Sequence, residues 1–121
     1  MKYEQIKKVF TNLNKLKQEG IWFSGKEGEG EYKEWWESGQ LWEHCFYKHD
    51  NEIGEYKRWY ENGQLSLHCF YRGIKNQYYI ITYQGEDDKR FKGKYKKWSR
   101  SGKLREHIIF NNDGSIKEII K

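Results

Sequence analysis

Three histidines recur at equivalent positions in the sequence, and two of them are followed directly by a cysteine: His44-Cys45, His68-Cys69 and His107. These residue types suit a zinc site or acid–base chemistry. Adjacent residues on a strand point to opposite faces, so one His–Cys pair cannot close on a single ion. Equivalent residues of successive hairpins lie roughly 9–10 Å apart, too far for shared coordination or for a disulfide. We therefore expect repeat-imposed structural residues, with no metal and no cofactor.

The sequence also argues against an enzyme. It contains no nucleophile elbow, phosphate loop or paired-carboxylate motif. If Ser101-Gly102 forms a two-residue loop, His107 lies opposite Lys96, but Glu106 faces away from it. A histidine without a converging carboxylate is a weak acid–base site, so no catalytic residue is predicted.

The recurring histidines belong to a sequence repeat. Three copies can be aligned: GEYKEWWESGQLWEHCFY (30–47), GEYKRWYENGQLSLHCFY (54–71) and GKYKKWSRSGKLREHIIF (93–110). The copies start 24 and then 39 residues apart, and the positions that are identical in all three include Gly, Tyr, Trp, Gly, Leu and His. Such units stack on their neighbours to bury a common core, which predicts a repeat array.

Each copy is typical of a β-hairpin with a turn at its centre. Asn62-Gly63 is the strongest signal, because a type I′ turn needs positive φ at both central residues. A two-residue loop there places Tyr60 opposite Leu65 and Arg58 opposite Leu67, whereas a bulge would change this pairing. The corresponding dipeptides of the other copies are Ser38-Gly39 and Ser101-Gly102.

The whole chain is predicted to be mainly β: an elongated array of antiparallel hairpins over residues 21–121, behind an N-terminal α-helical cap at residues 1–20. Apolar residues in 3–18 follow helical spacing, with lysines on the other side. Tyr78–Tyr83, inside the longer spacer, is predicted to be a strand of a degenerate copy. Ile21–Phe23 is predicted to be a half-copy, and residues 112–115 the turn of a last hairpin.

Composition narrows the class of protein. The 121 residues are 18% aromatic and 34% charged, without proline, so a core built from Trp, Tyr and Phe is expected. There is no 18-residue apolar run, and charges in the first ten residues argue against a signal peptide. Two unpaired cysteines fit a reducing, cytoplasmic setting. A multidomain enzyme, a membrane-spanning protein and a disulfide-stapled toxin are excluded.

Charge is divided unevenly along the chain. Residues 27–61 carry −6, while residues 89–105 carry +9 with no acid. Aromatic rings interleaved with cations suit an acidic protein surface or nucleic acid; the alternative is an aromatic core with solvated lysines that protect a sheet edge. Trp42 has no aromatic counterpart in the other copies. The predicted partner-binding residues are Lys89, Arg90, Lys92, Lys94, Lys96, Lys97, Arg100, Lys103 and Arg105, with Trp42 and Trp98.

The segments GEYKEWWESGQL, GEYKRWYENGQL and GKYKKWSRSGKL resemble the MORN-variant repeat of bacterial and viral proteins, whose core is Gly-x-Tyr-x-x-Trp/Tyr-Tyr-x-x-Gly-x-Leu. The third copy departs from it, with Ser99 in place of the second aromatic residue. The resemblance implies an elongated array of antiparallel hairpins without a shared active site. Bacterial members are described as antitoxin-like or as interaction modules.

The predicted function is non-enzymatic recognition of a protein. A small inhibitor, antitoxin, immunity or counter-defence protein that neutralises an effector such as a nuclease is favoured, with the acidic residues 27–61 as a plug for a basic cleft. Nucleic-acid binding through residues 89–105 is the first alternative. An anionic-membrane surface module, using the N-terminal helix, is the second and is disfavoured. The oligomeric state stays open.

Overall fold

The computed structural model describes residues 20–73 and 90–121, which form nine β-strands and no α-helix. The strands are β1 (Ile21–Trp22), β2 (Gly30–Trp35), β3 (Leu41–Lys48), β4 (Asn51–Glu52), β5 (Gly54–Trp59), β6 (Leu65–Tyr71), β7 (Gly93–Trp98), β8 (Leu104–Phe110) and β9 (Ile116–Ile119). The predicted helix at 3–18, the predicted strand Tyr78–Tyr83 and Lys89 lie outside the described residues.

All nine strands belong to one antiparallel sheet. Its order is β1-β2-β3-β5-β6-β7-β8-β9, with β4 paired to the end of β3. The three sequence copies are therefore the hairpins β2–β3, β5–β6 and β7–β8, and the predicted last hairpin is β8–β9. The predicted array of antiparallel hairpins is confirmed for the described residues.

The longer step before the third copy does not interrupt the sheet. His44 pairs with Lys57 between the first two copies, and His68 pairs with Lys96 between the second and third. These are equivalent positions, so both junctions have the same register. The additional residues of the spacer leave β6 and β7 directly hydrogen-bonded, which keeps the three copies in one continuous surface.

The hairpin turn differs from the predicted type I′ turn. The Tyr60 amide donates to the Gln64 carbonyl (2.8 Å), and the Gly63 amide donates to the Tyr60 carbonyl (3.0 Å). Gly63 has a φ of 89°, whereas Asn62 is not in the positive-φ region. This pattern fits a type I turn followed by a left-handed glycine, in which only one residue needs positive φ. The prediction failed because the turn contains three residues rather than two.

A β-bulge follows each of these turns. Arg58 faces Leu67 as predicted, but Leu65 faces Trp59 rather than Tyr60. Ser66 therefore has no residue opposite it on the neighbouring strand. The Ser66 hydroxyl donates to the Arg58 carbonyl (3.0 Å) and so occupies the irregularity. The same register shift leaves out Trp42 in the first copy and Arg105 in the third. Each copy has a different residue at this position, where no strand partner constrains it.

A smaller core cluster contains Ile21 and Trp35. The main core cluster lies on one face of the sheet, here called the aromatic face. Its buried residues are Tyr32, Cys45, Tyr56, Cys69, Tyr71 and Phe91, surrounded by the half-buried Trp22, Tyr47, Leu67, Tyr95 and Phe110. Neighbouring rings are tilted or edge-to-face, with centroids 4.5 to 6.1 Å apart, an arrangement that stabilises ring pairs. The predicted aromatic core is thus present, and it runs across the copies instead of within one hairpin.

Candidate partner-binding cleft

The recurring histidines lie on the opposite face, here called the histidine face, and two of them, His44 and His68, pair with carboxylates of the neighbouring strand. The distance from His44 Nε2 to Glu31 Oε2 is 2.7 Å, and from His68 Nε2 to Glu55 Oε2 it is 2.9 Å. Cys45 is fully buried on the aromatic face, so His44 and its neighbour point away from each other. These histidines stabilise strand pairing within a hairpin.

The third copy lacks this pair, because Lys94 replaces the glutamate. His107 Nε2 is buried and has no hydrogen-bond partner among the described residues. No carboxylate in the described part of the chain pairs with His107. Within residues 20–73 and 90–121, no group of three or more His, Cys, Asp or Glu side chains is placed to hold a metal ion.

One row of side chains across the aromatic face differs in charge and polarity between the copies. The pairing register joins, in order, Glu34, Glu43, Arg58, Leu67, Lys97 and Glu106. Two residues further from the turns, the equivalent positions are Tyr32, Cys45, Tyr56, Cys69, Tyr95 and Ile108, which is close to invariant. The copies therefore keep one row for the core and vary the next, a division typical of repeat proteins that bind through a continuous surface.

The acidic end of this variable row is desolvated. Glu34 lies opposite Glu43, and its side chain accepts a 2.6 Å hydrogen bond from the Tyr32 hydroxyl. Glu43 accepts a hydrogen bond from the Tyr56 hydroxyl. Burial raises the pKa of both Glu34 and Glu43 above the ordinary carboxyl value. A tyrosine hydroxyl thus donates a hydrogen bond to each of the two carboxyl groups.

Arg58 lies in the middle of the row and is fixed from several sides. Its Nη2 donates to the Tyr56 hydroxyl oxygen (2.6 Å) and lies 4.0 Å from Glu43 Oε2. The guanidinium also lies over two rings, 5.4 Å from the Tyr56 centroid and 5.7 Å from the Trp42 centroid. A guanidinium held between ring faces keeps its charge in a defined place at the surface.

Arg58 and Trp42 belong to a cleft of about 470 Å³ that opens on the aromatic face. Its lining residues are Trp36, Trp42, Arg58, Trp59, Tyr60, Ser66, Leu67, Tyr71, Arg90, Phe91, Tyr95 and Lys97. Seven of these are aromatic and three are cationic, and none of the described lining residues is acidic. We call it the aromatic–basic cleft. Large rings with fixed cations offer contact area and charge to an anionic or acidic ligand.

The structure divides the sequence-predicted site residues among three places. Trp42, Arg90 and Lys97 line the cleft. Lys94 and Lys96 alternate with Tyr95 along β7 and so lie on the histidine face. The remaining described residues lie outside the cleft lining. Four of them are exposed cations: Lys92, Arg100, Lys103 and Arg105. The last is Trp98, whose carbonyl accepts a hydrogen bond from the Tyr60 hydroxyl. The basic sequence segment is therefore not one basic surface.

Sequence reasoning missed Arg58, although a signal for it was present. Arg58 occupies the position of Glu34 and Lys97 in the other copies, and a position-by-position comparison would have marked it as variable. The positive charge of Arg58 was overlooked because residues 27–61, which include it, have a negative net charge. Several carboxylates of that segment are buried or paired with histidine, so the sum does not describe one acidic surface.

Together, these features define a β-repeat protein whose hairpin units form one antiparallel sheet and whose copies differ along one row of the aromatic face. The chain belongs to the MORN repeat variant family, whose model matches residues 28–49, 52–72 and 92–112. MORN repeats are often protein- or membrane-binding modules and are generally not enzymatic. No curated protein and no solved structure matches the chain significantly. Within the described ranges, no helix has the length and hydropathy to cross a bilayer.

Proposed function

We propose that this chain is a non-enzymatic protein-binding module that inhibits its partner, and that the aromatic–basic cleft is the surface that contacts it. The observation that carries the proposal is the lining of the cleft, with seven aromatic and three cationic side chains around about 470 Å³. Aromatic residues and arginine dominate the energetically important centres of protein interfaces. An acidic segment of a protein is the matching ligand.

The finer form of the proposal is an inhibitor, antitoxin, immunity or counter-defence role against an effector such as a nuclease or a nuclease complex. Nucleases that use divalent metals hold them on clustered carboxylates. A cleft that presents Arg58, Arg90 and Lys97 is complementary in charge to such an acidic centre. The protein would then act by covering the effector's active site, in the cytoplasm.

A pair of charge reversals tests which surface binds. Arg90→Glu with Lys97→Glu changes the cleft, and Lys94→Glu with Lys96→Glu makes the same charge change on the histidine face. Proteins cross-linked to each variant in the cells that encode the chain would be quantified by mass spectrometry. We expect the histidine-face variant to recover the partner in the wild-type amount. The cleft variant should recover roughly tenfold less of it, or even less. Loss only with the histidine-face variant would exclude the cleft.

The inhibitory role is tested with the captured partner in purified form. Its catalytic activity should fall on addition of the wild-type chain at the stoichiometry of the complex and should be restored by the cleft variant. A partner that binds through the cleft and keeps its full activity would remove the inhibitory role while leaving the binding module intact.

Single-stranded nucleic acid is the second candidate ligand. Bases stack on aromatic faces while cations follow the phosphates, and the cleft supplies both groups. Labelled oligonucleotides titrated by fluorescence anisotropy should then bind with an affinity that falls steeply with salt. Oligonucleotide binding that is abolished by Arg90→Glu with Lys97→Glu would support this candidate, whereas a protein complex that forms through the cleft, with no measurable binding of oligonucleotides, would support the first.

A further inference from the structure

A second, smaller cavity of about 110 Å³ lies where the first hairpin approaches its turn. Its walls are Trp35, Trp36 and Trp42, and the fourth lining residue is Glu34. We call it the tryptophan pocket. The second copy has Arg58, Trp59, Tyr60 and Ser66 at these positions, and the third has Lys97, Trp98, Ser99 and Arg105. Three tryptophans with a carboxylate therefore occur in the first copy alone.

We propose that the tryptophan pocket binds a quaternary or N-methylated ammonium group. A cation is attracted to the face of an aromatic ring by the ring quadrupole, and tryptophan is the strongest of the three aromatic residues in this respect. The carboxylate of Glu34 supplies the opposite full charge beside the rings. An anion would be repelled by this carboxylate, so the charge of the ligand is determined by the lining.

The rings are already held in place in the absence of a ligand. The centroids of Trp36 and Trp42 are 5.8 Å apart with their planes at 67°, so the two rings form adjoining walls. Trp36 Nε1 donates to the Trp59 carbonyl (3.0 Å), which fixes that ring. Trp35 is buried in a cluster with Ile21. Walls that are fixed before binding lose little conformational entropy when the ligand enters.

Glu34 is suited to meet a cation in this pocket. Its Oε1 accepts a hydrogen bond from the Tyr32 hydroxyl, and its side chain lines the pocket. The nearby Arg58 is compensated by Glu43 and itself lies over the Trp42 ring. That contact shows within the molecule that this tryptophan accepts a cation.

The size of the pocket favours a methylated ammonium group over a primary one. About 110 Å³ corresponds to roughly four water molecules at about 30 Å³ each, which is room for a trimethylammonium head but not for a large ligand. A primary ammonium is compact and strongly hydrated, and this pocket offers one carboxylate rather than three acceptors. Methylation reduces the hydration that must be lost and adds apolar surface for the rings.

The experiment compares choline with 3,3-dimethyl-1-butanol, in which carbon replaces the charged nitrogen at nearly the same shape. Each is titrated into the full chain by calorimetry, with the indole N–H signals followed by NMR. We expect choline to bind and the neutral analogue to be weaker by roughly tenfold or more, the range of a desolvated cation–π site. Equal affinities, or no choline binding at all, would overturn the proposal.

Two variants locate the site. Glu34→Gln should lower the affinity for choline roughly tenfold, while the glutamine can still accept the hydrogen bond from Tyr32. Trp42→Ser introduces the residue that the second copy carries at the same bulge and should also weaken binding. Glu118→Gln makes the same chemical change as the first variant on exposed β9 and should leave binding unchanged. Glu34→Gln protein that stays folded by circular dichroism and binds choline as wild type would refute the proposal.

The source of the ammonium group is identified by parallel titrations. A peptide containing trimethyl-lysine and vesicles of phosphatidylcholine carry the same cation on a protein and on a lipid. Peptide binding that depends on Glu34 would indicate a methylated protein, and vesicle binding that depends on Glu34 would indicate a lipid surface. Choline binding without either would indicate a free metabolite.

Discussion

Glu34 and Glu43 face each other on adjacent strands, and both carboxyl groups are largely removed from water. Burial is the main cause of their raised pKa values, and the charge of Glu43 adds to the effect on Glu34. The arrangement is tolerated because tyrosine hydroxyls donate to both groups. It also places one carboxylate at the tryptophan pocket and the other beside Arg58.

The pair makes folding depend on pH. The pKa of Glu34 is higher in the folded state than in the unfolded state. At pH values between these two pKa values the folded state therefore binds more protons than the unfolded state. The free energy of unfolding then falls as the pH rises through this interval. Relative to wild type, Glu34→Gln should therefore become more stable as pH increases above about 4.5, the ordinary value. Urea unfolding of both proteins from pH 4 to 8 measures this difference. A difference that is independent of pH would contradict the prediction.

Glu55 should show the opposite behaviour. The hydrogen bond with His68 is the largest cause of the lowered pKa of Glu55. The ionised carboxylate therefore stabilises the fold at pH values above its unfolded-state pKa. This contribution is lost as the pH falls through its folded-state pKa. A carbon NMR titration of the carboxyl group should show ionisation below the ordinary value. His68→Gln should move it back upward, while His44→Gln, in another copy, should not. The effect on stability should be below about 1 kcal/mol, since the pair is exposed to solvent.

Gly63 should be the most sensitive residue of its turn. Its φ of 89° lies in the region that L-residues avoid, and an added Cβ would come 3.3 Å from Gln40 Oε1. Gly63→Ala should lower the free energy of unfolding by about 1–2 kcal/mol. Glu61→Ala, in the same exposed turn without positive φ, is the matched control and should have little effect. Chemical denaturation of both variants measures the difference, and equal stabilities would argue against the left-handed glycine.

The cysteine thiols should be inert in the native protein. Cys45 and Cys69 are both fully buried, and burial raises the pKa of Cys69 to about 12. Because the thiolate is the reactive form, neither thiol should react with a disulfide reagent at pH 8 until the chain unfolds. Thiol titration with and without denaturant measures this, and rapid reaction of the folded chain would show that the core opens locally.

The hairpins were predictable because their signals are local. Alternating aromatic strands and a glycine at each turn indicated β2–β3, β5–β6 and β7–β8, and the pairing of Arg58 with Leu67 is found as predicted. The turn type was wrong because the sequence Asn62-Gly63 is compatible with loops of two or three residues. That one-residue difference produces the bulge at Ser66 and its equivalents.

The candidate site was predicted only in part. Trp42 was identified because no other copy has an aromatic residue there, and it does line the cleft. The basic residues of 89–105 were all predicted to bind the partner, but of those that the structure describes only Arg90 and Lys97 line the cleft. The importance of Arg58 depends on its packing against Tyr56 and Trp42, which involves a second hairpin and cannot be read from a charge sum.

The sequence by itself determined the repeat, the antiparallel hairpins and the aromatic composition of the core, because two-residue periodicity and glycine turns act over a few residues. The tertiary structure alone decided which residues meet between hairpins. Pairing between copies aligns Glu34, Arg58 and Lys97 in one row, and the bulges leave Trp42 beside that row. These contacts join residues far apart in the chain, so their geometry depends on the register of the whole sheet.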